Sequence, residues 1–395
     1  VAVEAAEVGY QVHLVEKEAY LGGRVAQLNK YFPKLCPPYC GLEINFRRIR
    51  PNPDISVMTM TEVTSVEGGP GNFRVTLKTS PRYVNGNCTG CDKCAQACPA
   101  ERANAFNYGM DKTKAAYLPH IMSFPMRYVI DKSACTGDCG KACQDACKYD
   151  AVELDMQAET KTVEVGSIVY ATGWKPYEMS KLTILGGGVP KNVISNVMME
   201  RLASPGGPTA GKILRPSDGR EAKNVAFVQC AGSRDENHLS HCSSICCMAS
   251  IKQAFYLREQ YPDSKAEIFY IDLRTPGRYE KFLNRAEADE GIALTKGKVA
   301  RVSEDPETGD VTLTVEDVFG GVKKDVTVDM LVLATGMEPN GAAQTALNQE
   351  GFAVSELQKP GIFSAGVAKS PVDVMTSIQD ASGVALKAIQ AIVRS

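Results

Sequence analysis

The sequence predicts an α/β protein made of two dinucleotide-binding-type domains, one nested in the other, with a cysteine-rich module inserted. Three observations carry this reading. Two apolar strands, VGSIVYATG (165–173) and DMLVLATG (329–336), end in the same three residues. Between them NVAFVQCAGS, CCMASIKQAFYLREQYP and KAEIFYIDLR read as strand, helix and strand, a βαβ unit. Fourteen cysteines fall into four groups, at 36–40, 88–98, 135–147 and 230–247.

A chain of 395 residues can form two or three domains with real cores. A formal net charge of −2 and a pI near 6.2 offer no basic field for nucleic acid or an anionic membrane surface. No apolar run reaches the roughly 18 residues of a membrane span, so no direct membrane insertion is expected and any membrane contact goes through a partner. Disulfide scaffolds are short and loop-rich, whereas this chain is long and patterned like an α/β enzyme. Its grouped thiols read as metal ligands in a reducing cytosol.

Residues 1–80 read as the first part of an FAD-binding domain. VAVEAAEVG opens inside a helix, and YQVHLVE is a strand ending in Glu16. In a dinucleotide-binding unit the glycine-rich turn lies about 20 residues before that acidic residue. Counting back from Glu16 passes Val1, so a first strand and its glycine-rich loop are expected upstream. Residues 81–155, with eight cysteines, form the insert. Residues 156–220 return to the first domain, 221–320 hold the second βαβ unit, and 321–395 close the FAD-binding domain with a strand, a loop and an amphipathic helix. This nesting resembles the flavoproteins of the thioredoxin reductase type.

The flavin site follows from that arrangement. Glu16 would accept hydrogen bonds from the ribose hydroxyls, Gly22 and Gly23 would let the backbone approach the cofactor, and Arg24 would face the pyrophosphate. Ala171, Thr172 and Gly173, and Thr335 and Gly336, are the turns after the two apolar strands. Gly366 precedes the final helix, whose N-terminus would favour negative charge on a reduced ring. Flavoproteins of this type usually carry an Asp after that glycine. Here Val367 follows, so its polar contact must come from elsewhere or be absent.

NCTGCDKCAQACPA supplies Cys88, Cys91, Cys94 and Cys98 as C-x2-C-x2-C-x3-C-P, the bacterial ferredoxin run. Zinc prefers two separated C-x2-C pairs, so this spacing points to iron and sulfide. The partner run contains Cys135, Cys139, Cys143 and Cys147 with three residues in every gap and no proline after the last. By analogy with two-cluster ferredoxins, Cys88, Cys91, Cys94 and Cys147 hold one 4Fe-4S cluster, and Cys98, Cys135, Cys139 and Cys143 the other. In QCAGSRDENHLSHCSSICCMASIKQA, Cys230, Cys242, Cys246 and Cys247 stand where a nicotinamide enzyme would carry its phosphate loop. Cys242 and Cys246 would share a face if helical, with Cys247 turned about 100° away. A third 4Fe-4S cluster is expected there, with zinc the alternative.

LGGR, PRYVNGNCTGCDKCAQACP, ILRPSDGR, VAFVQCAGSRDE, CSSICCMASIKQA and IFYIDLR together resemble the A subunit of heterodisulfide reductase. That resemblance implies FAD joined to a chain of 4Fe-4S clusters and an electron-transfer oxidoreductase working with other subunits. The compact form is similar to the A subunits of the quinone-interacting membrane-bound oxidoreductases of sulfate reducers. It implies a cytoplasmic, peripheral position on the inner membrane face, a membrane quinone-reactive partner subunit, and electron exchange between the menaquinone pool and adenylylsulfate reductase. The alternative is a soluble subunit of the heterodisulfide reductase type, with electron bifurcation as a further capacity. The named cysteines are electron-transfer ligands, and no catalytic nucleophile is assigned. Cys36 and Cys40, in KLCPPYCGLEINF, are left as a redox pair, part of a further cluster, or inert thiols. His13 reads as structural, His238 and His241 as solvated loop residues beside the cysteine motif, and Trp174 as a core or flavin-packing ring.

Overall fold

The computed structural model describes residues 1–341, 345–355 and 359–394. The chain begins with α1 (Ala2–Glu7) and β1 (Val12–Val15), followed by α2 (Tyr39–Ile49) and β2 (Ile55–Met58), which pairs parallel with β1. Strands β3 (Thr61–Gly69) and β4 (Asn72–Thr79) form a hairpin that β9 (Glu159–Val165) joins antiparallel. Phe73, Val75 and Leu77 alternate inward on β4, the period-2 pattern of a sheet with one buried face.

Between β4 and β9 lies the insert: α3 (Lys93–Ala97), β5 (Glu101–Ala103), β6 (Lys112–Lys114), β7 (Ala116–Tyr117), β8 (Val129–Ile130) and α4 (Ala142–Asp145). Its small core combines Val84, Tyr128, Ile130 and Val152 with the buried thiols Cys94, Cys98 and Cys143. The N-caps of its two short helices, Asp92 and Lys141, are both left-handed, at φ 66° and 68°. Each therefore turns the chain sharply just before a buried cysteine.

After the insert, β10 (Ile168–Tyr170) and β11 (Trp174–Pro176) lead to β12 (Val193–Ser195) and α5 (Asn196–Ala203). The second unit is β13 (Asn224–Ala231), α6 (Cys246–Gln260), β14 (Lys265–Tyr270), α7 (Glu280–Glu287), β15 (Ile292–Glu304), β16 (Val311–Asp317), β17 (Val322–Val328) and β18 (Met330–Thr335). Seven strands form one sheet in the order β12-β18-β13-β14-β15-β16-β17. All six residues of β18 are buried, as an interior parallel strand covered on both faces must be. Ile251, Ala254 and Leu257 of α6 pack on one face with Phe227 and Ile268. Val228, Phe269, Leu313 and Leu333 fill the other.

Finally β19 (Met337–Pro339) pairs antiparallel with β11, β20 (Ile362–Ser364) pairs parallel with β10, and α8 (Val374–Val393) ends the chain. The two strands that follow the paired ATG sequences are thus hydrogen-bonded to each other as the double connection between the domains.

This pairing moves two of the expected boundaries. A return to the first domain at residue 321 is too early, because β17 and β18 are hydrogen-bonded into the seven-stranded sheet and the return begins at β19. Likewise β12, within the span 156–220, is the edge strand beside β18. An apolar run such as MLVLAT marks a buried strand without saying which sheet buries it. That depends on partners about 100 residues away.

Candidate functional site

Three regions gather the residues that the sequence singles out. At the first, β1 ends beside Glu16, whose carboxylate accepts the Glu18 N–H at 2.8 Å. Burial pushes its pKa up, partly opposed by that hydrogen bond. Gly22 sits at φ 110°, and a Cβ there would press on Leu42 at 3.1 Å. A side chain would both strain this turn and fill it. Arg24 donates from Nε to the Trp174 carbonyl at 3.4 Å, and from Nη1 to Gln27 Oε1 at 3.2 Å and Tyr108 Oη at 3.1 Å. The LGGR turn and the first ATG turn, 150 residues apart, are therefore neighbours. Ala171 and Thr172 are exposed and Gly173 half-buried. Thr172 and Asn340 clasp each other through both side chains at 2.9 and 2.8 Å.

A carboxylate from α8 instead braces the Gly366 turn. The Gly366 N–H donates to Asp380 Oδ2 at 2.7 Å, and Lys369 Nζ pairs with Asp380 Oδ1 at 2.6 Å. Asp380 lies 14 residues on, within the helix, so the local motif carries no sign of it.

Thr335 and Gly336 lie elsewhere than their motif suggests. Thr335 is 2% exposed; its hydroxyl donates to Asn196 Oδ1 at 3.1 Å, and its carbonyl meets Cys246 Sγ at 3.8 Å. A Cβ on Gly336 would collide with Ser233 Oγ and Leu239. The second ATG turn thus backs the Cys230–Cys247 segment, while the first adjoins Arg24. The strand that leads into the second turn, β18, belongs to the second sheet.

In the insert, Cys88, Cys91, Cys94 and Cys147 line one small cavity with Val84, Tyr128 and Val152. Burial, then the Cys88 and Cys147 thiols, pushes Cys94 up to about 12. Cys143 is raised by burial and then by the neighbouring Cys139, Cys98 and Cys135 thiols. The last cysteine of each run thus stands with the first three of the other.

The third group assembles from separate elements. Cys230 lies near the end of β13 at φ 55°, where the pairing with β18 is irregular. Cys246 and Cys247 begin α6. Cys242 lies in the loop before it, so its expected helical face with Cys246 is not formed. The left-handed Ser244, at φ 62°, breaks the path between them. Burial raises Cys246, as do the Cys247, Cys230 and Cys242 thiols around it. His238 and His241 are half-buried and fixed rather than solvated. Nδ1 of His238 meets Tyr177 Oη at 2.9 Å, and Nε2 of His241 meets the Met337 carbonyl at 2.9 Å.

Among the described residues, no three or more Cys, His, Asp or Glu side chains converge as a single bound ion requires. One set of four thiols nonetheless lines a shared cavity, and in each of the other two sets the thiols lie within electrostatic reach of a central cysteine, Cys143 or Cys246. That donor set and spread suit a cubane, which carries one thiolate at each of four corners. Cys36, half-buried and bridged to Tyr31, precedes α2, and the exposed Cys40 lies in its first turn; neither joins these groups.

Sequence reasoning missed a buried ion pair. Lys252 Nζ on α6 lies 3.0 Å from Glu200 Oε1 on α5, with side chains 5% and 3% exposed. Glu200 also accepts from Asn29 N–H at 3.0 Å, Gln253 Nε2 at 2.7 Å and Tyr256 Oη at 3.3 Å. Lys252 donates to the Lys30 carbonyl at 2.6 Å. The pair ties the helix that opens with Cys246 to the segment just after LGGR. The sequence gives little signal for it, because each helix carries other charges as well, Arg201 on α5 and Arg258 and Glu259 on α6.

No family model matches the chain. The A subunit of the H(2):CoB-CoM heterodisulfide,ferredoxin reductase of Methanothermobacter marburgensis is 36% identical over 407 residues, covering 98% of this chain and 61% of that protein. The iron-sulfur A subunit of the CoB--CoM heterodisulfide reductase of Methanocaldococcus jannaschii is 37% identical over 405 residues, covering 97% and 61%. The A subunit of the Ferredoxin/F(420)H(2)-dependent CoB-CoM heterodisulfide reductase of Methanosarcina acetivorans is 36% identical over 408 residues, covering 98% and 51%. The chain therefore spans between about half and three-fifths of the length of these relatives. Among solved structures, T. acidophilum thioredoxin reductase superposes with a TM-score of 0.52 at 13% identity, covering 99% of this chain and 92% of that one. Lactococcus lactis thioredoxin reductase gives 0.52 at 12%, covering 100% and 95%. The fold is the two-domain thioredoxin reductase type, and heterodisulfide reductase A subunits are homologues over nearly the whole chain.

Proposed function

We propose that this chain is the flavin- and iron–sulfur-dependent electron-transfer portion of an oxidoreductase subunit of the heterodisulfide reductase A type. The observation that carries the reading is the gathering of twelve cysteines into three groups of four, beside a fold whose LGGR and first ATG turns adjoin. FAD would lie against Glu16, Gly22, Gly23, Arg24, Ala171, Thr172, Gly173 and Gly366. Three 4Fe-4S clusters would occupy the thiol groups. FAD exchanges electrons in pairs or singly and the clusters singly, so together they supply a wire with a gate.

The chain's own residues orient and insulate these groups. Arg24 offers a fixed cation whose position Gln27, Tyr108 and the Trp174 carbonyl hold. Asp380 shapes the Gly366 turn, and Val84, Tyr128 and Val152 form the apolar wall of one thiol group. The Glu200–Lys252 pair holds the third thiol group's helix against the first domain.

Other subunits would complete the complex, as the names of the relatives indicate for those proteins. We assign the finer placement on the motifs quoted above: a membrane quinone-reactive subunit on one side and adenylylsulfate reductase on the other, with this chain peripheral to the membrane. Among the described residues no helix is long and apolar enough to cross a membrane. FAD, iron and acid-labile sulfide on anaerobically purified full-length protein test the cofactor reading. About one FAD with roughly 12 Fe and 12 S per chain supports it, and about 8 Fe removes the third cluster. Menaquinol-dependent reduction of adenylylsulfate reductase by the assembled complex tests the placement. Turnover only with a heterodisulfide would replace it.

A further inference from the structure

Two arginines border the third thiol group. The Arg234 and Arg274 charges both lie within electrostatic reach of this group, Arg234 favouring the Cys230 thiolate and Arg274 the Cys247 thiolate. Both arginines line one open cavity with Asp235, Glu236, Ser240 and Cys242. Arg234 is also tied through Nη2 to Asp272 Oδ2 at 2.9 Å, and that carboxylate is half-exposed. Water therefore screens Asp272 more than the buried thiols screen one another. The insert differs. Arg82 lies within electrostatic reach of Cys88, but its guanidinium donates to the Arg127 and Ala19 carbonyls and to Thr59 Oγ1.

We propose that Arg234 and Arg274 set the reduction potential of the cluster held by Cys230, Cys242, Cys246 and Cys247, raising it. The inference rests on the third cluster of the proposed function. Taking up one electron makes a thiolate-ligated cubane more negative by one charge, with no bond made or broken. A cation lining the same cavity as a ligand sulfur stabilises that added charge more than it stabilises the oxidised state. Asp235, Glu236 and Asp272 act in the opposite sense, so the potential reports the balance of these groups. The arginines act through the ligand sulfurs and are positioning residues.

The test is an EPR-monitored redox titration of the anaerobic full-length protein, wild type against Arg234→Gln, Arg274→Gln and the double variant, with dithionite as reductant. A Cys246→Ser variant identifies the signal of the third cluster, and exposed Arg47→Gln serves as control. The double variant should favour oxidation at least tenfold, about 59 mV lower for one electron, at unchanged iron content. Asp272→Asn, which removes a counter-charge and leaves both arginines, should shift the same signal upward. Potentials that stay at the wild-type value in all these variants overturn the inference. Should the double variant lose iron, the single variants and Asp272→Asn decide it in the same way. A wild-type protein with about 8 Fe and no signal sensitive to Cys246→Ser overturns the third cluster itself, and this inference with it.

Discussion

Arg24 Nε donates to the carbonyl oxygen of Trp174 across 3.4 Å, joining two turns that lie 150 residues apart in the chain. One turn follows the strand that leads into Glu16, and the other follows β10. A guanidinium has a fixed fork of donors, so contacts to Trp174, Gln27 and Tyr108 leave it little freedom to rotate.

That restraint gives the first prediction. Arg24→Ala should weaken FAD binding by about 1.5–3 kcal/mol, the range for hydrogen bonds to charged groups, with the fold intact. Flavin fluorescence in a titration of the apoprotein reads it. Arg24→Lys should recover only part of the loss, because an ammonium lacks the planar fork. Equal FAD affinity in all three proteins would remove Arg24 from the site.

The buried Glu200–Lys252 pair makes an opposite pair of outcomes. Lys252→Met should destabilise the protein by about 3–5 kcal/mol, because it leaves the Glu200 carboxylate buried without its cation. Lys252→Met with Glu200→Leu should recover much of that loss. Thermal or denaturant unfolding of the two variants measures it, and a double variant no more stable than the single would count against a charge-pairing role.

The crossed grouping of the insert thiols predicts which substitutions resemble each other. Cys147→Ser should lose the same EPR signal as Cys94→Ser, and Cys98→Ser the same signal as Cys143→Ser, each with about four iron atoms fewer. If Cys147→Ser and Cys143→Ser instead erase one common signal, each run holds its own cluster.

His120 provides a pH-dependent test. Burial, with the Arg201 charge second, holds its imidazole down at about 4. The ring stacks on Phe106 at 4.6 Å, and neither of its nitrogens has a hydrogen-bond partner. In the unfolded chain the ring takes its proton near pH 6.5. As the pH falls, the unfolded state gains the proton first. The stability from keeping His120 neutral is therefore complete above about pH 6.5, declines between about 6.5 and 4, and is gone below. Its full size is about 3 kcal/mol. Denaturant unfolding at pH 7 and pH 5 should show a smaller loss for His120→Phe than for the wild type. Equal losses would mean that the ring is protonated in the folded protein.

Much of the chemistry is legible locally because ligand spacing is local. A ferredoxin run must place several thiols around one cage within a few turns of chain, so NCTGCDKCAQACP carries its meaning in its own gaps. The strand-ending ATG turns and the acidic end of β1 are equally short-range, and with the βαβ order they suffice for the fold class. Residue order alone thus supplies an inventory: which segments are buried strands, which thiols come in sets, and that two similar domains are nested. The assignments came from packing. Folding took β17 and β18 into the second sheet, turned Thr335 and Gly336 toward Cys246, and brought Asp380 to Gly366. It also paired Glu200 with Lys252. One cause runs through all of these. Hydrogen bonding and burial are satisfied by whichever partner the packed chain delivers, and apart from the β16–β17 hairpin these partners lie from 14 to more than 100 residues away, beyond the reach of a short motif.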